Sequence, residues 1–546
     1  MDTNIDALIV GAGPVGLSMA VTLAMHGLRF RIIDSAPERV NESRAIGIQA
    51  RTLEIFEMAG IVDEFLAQGQ QLDAVNIYGE SGRKIAHLHF DSIPSRYSFI
   101  LTLAQSETER VLEDHLRDLG VGVERSTTLL SFDQSEEGVS VILSLPDGRN
   151  EQVHTDWLLG CDGAHSRVRE VLGLKFAGKT YDLHFLLGDI HTESALPDQE
   201  VHVFGRKEGL LALFPLGKGL FRLVADNPPD RFRSDQKPTV AEWQEVVNTR
   251  ASFPIQLSDL GWSTYFRVNS RLVENLRRGH VFVLGDAAHI HSPALAQGMN
   301  TGIQDAWNLG WKLALVQKSL APPALLDSFA AERMPVEQGV LRMTDLTQNM
   351  ITAEKKINRF LRDSLLPLLS GFTVFQSEAA KQVSETAIGY RRSPLVEDHR
   401  LPHGPHAGDR APYAILVRQS NREEISTISL FGREHVLLAL LGPQDNAKVF
   451  QELEPLFDLI QIQYREIVTP YLVVSGEDQF SNSNIGCLVD TSGQMKSQFG
   501  DSPALYLVRP DGYIGFRCPA AKSPWLAAYL AKEFAPGDRV AINGRF

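Results

Sequence analysis

Residues 5–34 constrain this chain more than any other segment. IDALIV (5–10) has the length and apolarity of a buried strand, and PVGLSMAVTLAMH (14–26) is an Ala-rich apolar helix pattern. Gly27 stops that helix, and RFRIID (29–34) reads as a second strand. Strand, glycine turn, helix and strand make a βαβ unit, whose right-handed crossover sets both strands parallel in one sheet. The turn itself is Gly11-Ala12-Gly13-Pro14-Val15-Gly16. Gly11 permits the tight turn, Gly13 lets backbone approach a pyrophosphate, and Gly16 lets the helix pack on the strand. The helix N-terminus then presents N–H groups and a positive dipole end to the phosphates. Asp34 ends the second strand at about the twenty-residue offset of a carboxylate that binds ribose hydroxyls. It would repel a 2′-phosphate, so NADP is disfavoured at this site, and FAD or NAD remains.

The unit is only the start of a 546-residue chain, long enough for about three domains. A formal net charge of −14 argues against a general binder of nucleic acid or anionic membrane. The cysteines, Cys161, Cys487 and Cys518, form no C-x-x-C pair, so neither a disulfide framework nor a zinc site is expected. No metal is expected at His289 and His291 either, which lack a supporting ligand cluster. Few cysteines, a polar start without a basic flank, and no long apolar run predict a cytoplasmic protein without a membrane span.

Helical patterns occupy 50–59 and 105–119, where Ser106 and Glu109 are spaced as a capping box. Strands are expected at 137–145 and 151–159. Residues 176–275 carry short strands broken by Gly and Pro, such as 201–204, 211–216 and 220–225, which suggests an antiparallel sheet. Strand 280–285 and helix 298–318 restore the α/β pattern, and 335–390 reads as mostly helical. A Pro-, His- and Arg-rich linker spans 391–412. Beyond it, strand 435–441, helix 444–457, strand 459–467 and a hairpin at 505–517 form a compact α/β module. The hairpin turns at Pro510-Asp511-Gly512.

Three further segments carry chemistry. They are Cys161-Asp162-Gly163-Ala164-His165-Ser166-Arg167-Val168-Arg169, Gly285-Asp286-Ala287-Ala288-His289, and Gln297-Gly298-Met299-Asn300-Thr301-Gly302 leading into Gln304-Asp305-Ala306-Trp307-Asn308. With GAGPVG, in this order and spacing, they closely resemble the flavoprotein aromatic hydroxylases over residues 5–340. Gly408-Asp409-Arg410-Ala411-Pro412 and Arg509-Pro510-Asp511-Gly512-Tyr513-Ile514 resemble the longer members, which end in a thioredoxin-like domain without thiol chemistry. The resemblance implies an α/β fold. A Rossmann-like FAD-binding domain (1–175 and 276–340) would carry a β-rich substrate domain (176–275), a helical connection (341–395) and a thioredoxin-like domain (396–546).

The resemblance also implies roles. Gly11, Gly13, Pro14, Gly16 and Asp34 would hold the FAD dinucleotide. Arg44 would lie near the pyrophosphate, and Gln105 near the ribityl or phosphate groups. Asp162 belongs to a motif linked to FAD and nicotinamide contact. Gly285 and Asp286 would meet the ribityl chain. Gly298, Met299 and Asn300 would sit at the flavin ring, where a helix N-terminus stabilises the negative charge of reduced flavin. Pro293 would place its carbonyl near the oxygen-reacting flavin carbon.

The implied activity is hydroxylation of a small aromatic, phenolic substrate by NADH or NADPH and O2 through a flavin hydroperoxide. Epoxidation and Baeyer–Villiger insertion use the same scaffold. One departure stands out: Leu295-Ala296 replaces the two glycines common in the family, where glycine usually means positive φ or close approach to a ligand. Either the loop takes another conformation or the flavin sits differently, and a FAD-binding protein with little hydroxylation is the alternative. Arg206, Arg222, Tyr265 and Arg267 are candidates for substrate contact. Trp307 and Trp311 read as core, Cys161 as a small buried hydrophobe, and Glu332-Arg333 as a structural pair at a helix end. The C-terminal module is a candidate contact for a homodimer.

Overall fold

The computed structural model describes residues 4–39, 45–193, 196–226, 228, 237–291, 297–351, 378, 380–442, 446–475 and 485–535. Its first βαβ unit forms as expected. Strands Asn4–Val10 and Phe30–Ile33 are parallel neighbours on either side of helix α1 (Pro14–Met25). Strand Asn150–Gly160 pairs parallel on the other edge of Asn4–Val10 and carries Val281–Val283 beyond it. The strands at Thr128–Ser135 and Gly138–Ser144 branch from Asn150–Gly160 as an antiparallel meander.

Among the described residues before 352, seven further α-helices follow. They are α2 (Ala50–Ala59), α3 (Val62–Gln68), α4 (Gln105–Asp118), α5 (Arg167–Val171), α6 (Val240–Arg250), α7 (Gly298–Gln317) and α8 (Asp327–Ile351). The capping box expected at Ser106 does not form. Helix α4 begins at Gln105 with Ala104 as N-cap, so Ser106 is already inside the first turn and Glu109 accepts from Gln105 Nε2 instead (2.9 Å). A complete box closes α6, where Thr239 and Glu242 exchange hydrogen bonds.

The second sheet is antiparallel through Phe176–Thr192, Glu200–Arg206, Gly209–Gly217, Leu220–Asp226 and Leu257–Val273. It is larger than the segment 176–275. Ala74–Tyr78 joins it by parallel pairing with Glu200–Phe204, bringing Lys84–His89 along as an edge hairpin. His289–Ile290 closes the opposite edge against Arg271–Leu272. The stretch from Val283 to His289 therefore bridges the two sheets. Arg206 and Arg222 serve the fold itself: Arg206 binds the carbonyls of Glu80, Arg250 and Ala251, and the buried Arg222 pairs with Asp189.

The C-terminal sheet has parallel strands His435–Leu440 and Val468–Val474 about the helix Asn446–Gln463. The hairpin Ala504–Val508/Ile514–Pro519 packs antiparallel beside them, followed by the helix Ser523–Glu533. The strand expected at 459–467 does not form: 459–463 end that first helix and 464–467 turn into Val468–Val474. Its LIQIQ alternation misleads, because Leu453, Leu456, Phe457, Ile460 and Tyr464 bury one helical face while Ile462 is 73% exposed. One apolar core continues from the first sheet into the inner face of this module. Among the described residues no helix is long and apolar enough to cross a membrane.

Helices α1 and α7 touch along a glycine seam. A Cβ on Gly302 would lie 2.6 Å from Val15 Cγ2, and one on Gly310 would lie 2.1 Å from Thr22 Cγ2. Both partners are β-branched and cannot swing aside within a helix. Gly310→Ala should therefore destabilise the protein by about 1–3 kcal/mol in denaturant unfolding, as for an overpacked core. Adding Thr22→Ala should recover most of the loss.

Candidate active site

The glycine turn after Asn4–Val10 is set by close backbone approach. Gly11 has φ +100°, and a Cβ there would sit 2.4 Å from the Cys161 carbonyl oxygen. A Cβ on Gly16 would sit 1.9 Å from the Gly11 oxygen. Gly13 differs: nothing lies within 4 Å of its Cβ position. Gly13 is the N-cap of α1 and offers no side-chain acceptor to the first-turn N–H groups, while Pro14 opens the helix. The open space therefore lies over an uncapped helix N-terminus, the arrangement that binds phosphate. Asp34 is held beside it, accepting from Ala12 N (2.7 Å) and Ala36 N (2.8 Å). Each of its oxygens keeps a lone pair for a sugar hydroxyl. Gln105 accepts from Ala45 N (3.3 Å) at the start of α4.

A second helix N-terminus, that of α7, receives no side-chain cap from its N-cap Gln297. Asn300 is fully buried and fixes this first turn. Its Oδ1 accepts from Gln49 N (2.9 Å) and its Nδ2 donates to Gly47 O (2.8 Å). Met299 is nearly buried beside it, and Gly298 faces His291. The turn Gly285–Ala287 stands between the two helix ends. Gly285 has φ +55°, and a Cβ there would be 2.7 Å from Val15 Cγ2, the same methyl that meets Gly302. Val15 thus holds the starts of α1 and α7 and the Gly285 turn together, with Asp286 exposed on that turn.

Asp162 faces its own turn. It accepts from Ser166 Oγ (2.5 Å), Arg167 N (2.7 Å) and Val168 N (3.1 Å), capping α5. Arg169 carries the segment across to the Gly285 turn, donating to Ala287 O (2.9 Å) and Ala164 O (2.7 Å). Arg44, Pro293, Leu295 and Ala296 lie outside the described residues.

Beneath this assembly lies a buried ionic network that motif reading passed over. Asp305 Oδ2 accepts from Gly285 N (3.1 Å) and meets His289 Nε2 (2.7 Å). Arg333 donates from Nε to Asp305 Oδ1 (2.7 Å), from Nη2 to Thr301 O (3.0 Å) and from Nη1 to Tyr390 Oη (3.0 Å). Arg333 and its neighbour Glu332 are not a helix-end pair. Both are buried inside α8 and serve different partners, Glu332 pairing with Lys312 (2.7 Å) and Arg509 (2.5 Å). Burial opposes ionisation of Asp305, but the Arg333 and His289 charges outweigh it and hold the carboxyl below its ordinary range. Burial would lower His289, yet the Glu337 and Asp305 carboxylates raise it to about 9. Glu337 is pushed up to about 7 by burial, against the pull of His289, and neither of its oxygens has a hydrogen-bond partner among the described residues.

Glu385 is the second carboxylate missed from sequence. It is buried in a left-handed conformation (φ +60°) and accepts from Thr301 Oγ1 (3.2 Å) and Gln304 Nε2 on α7. Burial raises it to about 8, against the lowering effect of Arg333.

A model of the FAD-binding-domain family matches residues 4–344. The chain belongs to this family, the FAD-dependent aromatic monooxygenases. It is 34% identical over 517 residues to pentachlorophenol 4-monooxygenase of Sphingobium chlorophenolicum, covering 93% of each chain. It is 30% identical to 6-methylpretetramide 4-monooxygenase of Streptomyces rimosus, covering 97% of this chain and 94% of that one. Among solved structures, the anhydrotetracycline hydroxylase OxyS of Streptomyces rimosus superposes with a TM-score of 0.75 at 28% identity. That match covers 98% of this chain and 99% of OxyS. The family's FAD-binding region thus contains the βαβ unit, the Gly285 turn and the start of α7.

Glu385 supplies a test of the buried network. Between its ordinary value of 4.5 and about 8, the folded chain keeps a proton that the unfolded chain has released. Raising pH through this window therefore removes stability, by at most about 1.4 kcal/mol per pH unit. Glu385→Gln should gain stability relative to the parent from pH 5 to 8, levelling off above, in denaturant unfolding across that range. A pH-independent difference would contradict the raised Glu385.

Proposed function

We propose that this FAD-dependent monooxygenase hydroxylates a small phenolic substrate with O2, and that NADH or NADPH reduces its flavin. The observation that carries the reading is the meeting at Val15 of two helix N-termini whose N-cap residues supply no side-chain cap, with the Gly285 turn between them. FAD can use such a pair: one end for its pyrophosphate, the other for the negative charge of the reduced flavin ring. The residues present fit FAD, since the space beside Gly13 is open where its phosphates would lie.

In this reading Gly11, Gly13, Pro14 and Gly16 shape the pyrophosphate cradle and Asp34 binds the adenosine ribose. Arg44 and Gln105 reach the phosphate and ribityl region, and Gly285 and Asp286 hold the ribityl chain. Gly298, Met299 and Asn300 meet the pyrimidine edge of the ring. Asp162 acts through α5, whose start it caps. Pro293 would lend its carbonyl beside the oxygen-reacting carbon, a role resting on resemblance. Bound and reduced, FAD supplies the activation of O2 and oxygen transfer to an electron-rich ring. The chain's contribution is electrostatic. The α7 N-terminus stabilises negative charge on the reduced ring. Buried Asn300 fixes the angle at which it does so. The second sheet, joined to the site through His289–Ile290, would wall the substrate off from water. The C-terminal module, a βαβ unit followed by a hairpin and a helix, reads as thioredoxin-like and is a candidate dimer contact.

Gly13→Ala separates cofactor binding from folding. Its methyl has space in the protein alone but would intrude on a pyrophosphate. The variant should melt like the parent without cofactor and bind FAD weaker by about 1–3 kcal/mol, the cost of overpacking a tight contact. Unchanged affinity, read by flavin fluorescence, would move the phosphates elsewhere. For the reaction, product formed per NADH or NADPH consumed should rise towards one for a suitable phenol. Coenzyme oxidation that yields only H2O2 with every phenol tested would favour a flavoprotein with little hydroxylation.

A further inference from the structure

We infer that the turn Arg509–Tyr513 of the C-terminal module is a positioning element of the flavin site, holding α2 and α7 in the register that FAD requires. The inference rests on FAD lying at the starts of α1 and α7.

Two independent routes lead from this turn to the site. The first enters α7. Arg509 is 1% exposed and grips Glu332 of α8 with both terminal nitrogens, at 2.5 and 2.9 Å. Glu332 Oε2 also accepts from Lys312 Nζ (2.7 Å) and Asn308 Nδ2 (2.7 Å), both on α7. Asp511 returns to the same group, accepting from Arg509 Nε (3.0 Å) and lying 3.3 Å from Asn308 Nδ2. Arg509 also stacks over the Trp311 ring, 5.3 Å from its centroid. The helices thus contribute one cation and one anion, the turn contributes one of each, and all four are buried.

The second route enters α2. The carbonyl of Asp511 accepts from Arg51 Nη2 (2.5 Å), and the Arg51 guanidinium lies over the Tyr513 ring at 4.8 Å. Arg51 stands in the first turn of α2, two residues from Gln49, whose N–H is held by Asn300 at the start of α7. Arg410 fastens the same helix from the linker side, donating to Glu54 (2.6 Å). Gly512 has φ +76°, and a Cβ there would lie 3.3 Å from Arg51 Nη2, so the turn is shaped for this approach. Arg51, Gln304, Asn308, Tyr390, Asp511 and Tyr513 also line a cavity of about 10 Å³. Arg51 Nε, Gln304 Oε1 and Tyr513 Oη have no hydrogen-bond partner among the described residues. That space and those groups suit one bridging water molecule.

An interface needed only for adhesion would be served by apolar packing, because buried ion pairs add little net stability. What interleaved charges do fix is register. A one-turn slip of α7 would leave Lys312, Glu332 or Arg509 buried without its partner, and Asn300 would move with the helix.

Positioning is reciprocal. If the turn favours the FAD-ready arrangement, FAD must stabilise the turn by the same factor. The test is amide hydrogen exchange on the full-length protein, with and without saturating FAD. The expected result is slower exchange across 504–519, by about fivefold or more, the lower end of ordinary coupling between sites. A module that is merely glued to the FAD-binding region would not respond to the cofactor. FAD uptake, seen in the visible spectrum, with exchange changes confined to residues 4–344 would overturn the inference and leave the cofactor site standing. A protein that takes up no FAD would overturn both.

Discussion

One carboxylate carries the architecture of the site. Asp305 is fully buried and charged, and it faces a different element on each side: Gly285 N–H from the turn, His289 from the second sheet's edge and Arg333 from α8. Such an ion is tolerable in the interior only when paired and hydrogen-bonded, and removing one partner of a buried pair typically costs about 3–5 kcal/mol. The three elements are therefore tied to a single point on α7. That point lies two turns into the helix whose first turn faces the proposed flavin position. The glycine seam fixes α7 against α1 as well. Paired charge and close packing together leave the helix little freedom to rotate or slide.

This division of labour explains why the functional surface is built of backbone. Gly11, Gly16, Gly285 and Gly302 admit no side chain, because carbonyls or Val15 stand where a Cβ would be. Backbone brought this close presents helix ends and N–H groups to a ligand without intervening atoms. The strong charges sit one layer below, with Arg333 and His289 around Asp305, and the raised carboxyls of Glu337 and Glu385 close by. Burial keeps Glu385 near neutrality in protonation, so it adds little negative charge beside the α7 N-terminus at ordinary pH. The C-terminal module continues the same scheme through Glu332 and Arg509.

Much of this was legible in the sequence where information is local. The βαβ unit, Asp34, the Gly285 turn and the start of α7 are runs of a few residues whose period and glycines state their own geometry. What escaped was long-range. Ala74–Tyr78 looks like part of the first domain until it pairs with Glu200–Phe204. Arg333 meets Asp305 across 28 residues, and Arg509 meets Glu332 across 177. No local pattern announces such partners. The 459–467 strand failed for another reason: LIQIQ satisfies a period of two over five residues, whereas the helical period emerges only over the full length from 446. Asp162 was legible as a motif member, but its hydrogen bonds to Ser166 and the first two N–H groups of α5 had to be seen.

The site as a whole is built to grip FAD at both its phosphate and ring ends. Titrating the purified full-length protein with FAD, while following the flavin's fluorescence and visible bands, tests it most directly. Saturable binding of one FAD per chain is expected, with the bands shifted from those of free flavin. Failure of the correctly folded protein to bind added FAD, or binding that leaves the ring spectrum as it is in water, would contradict it.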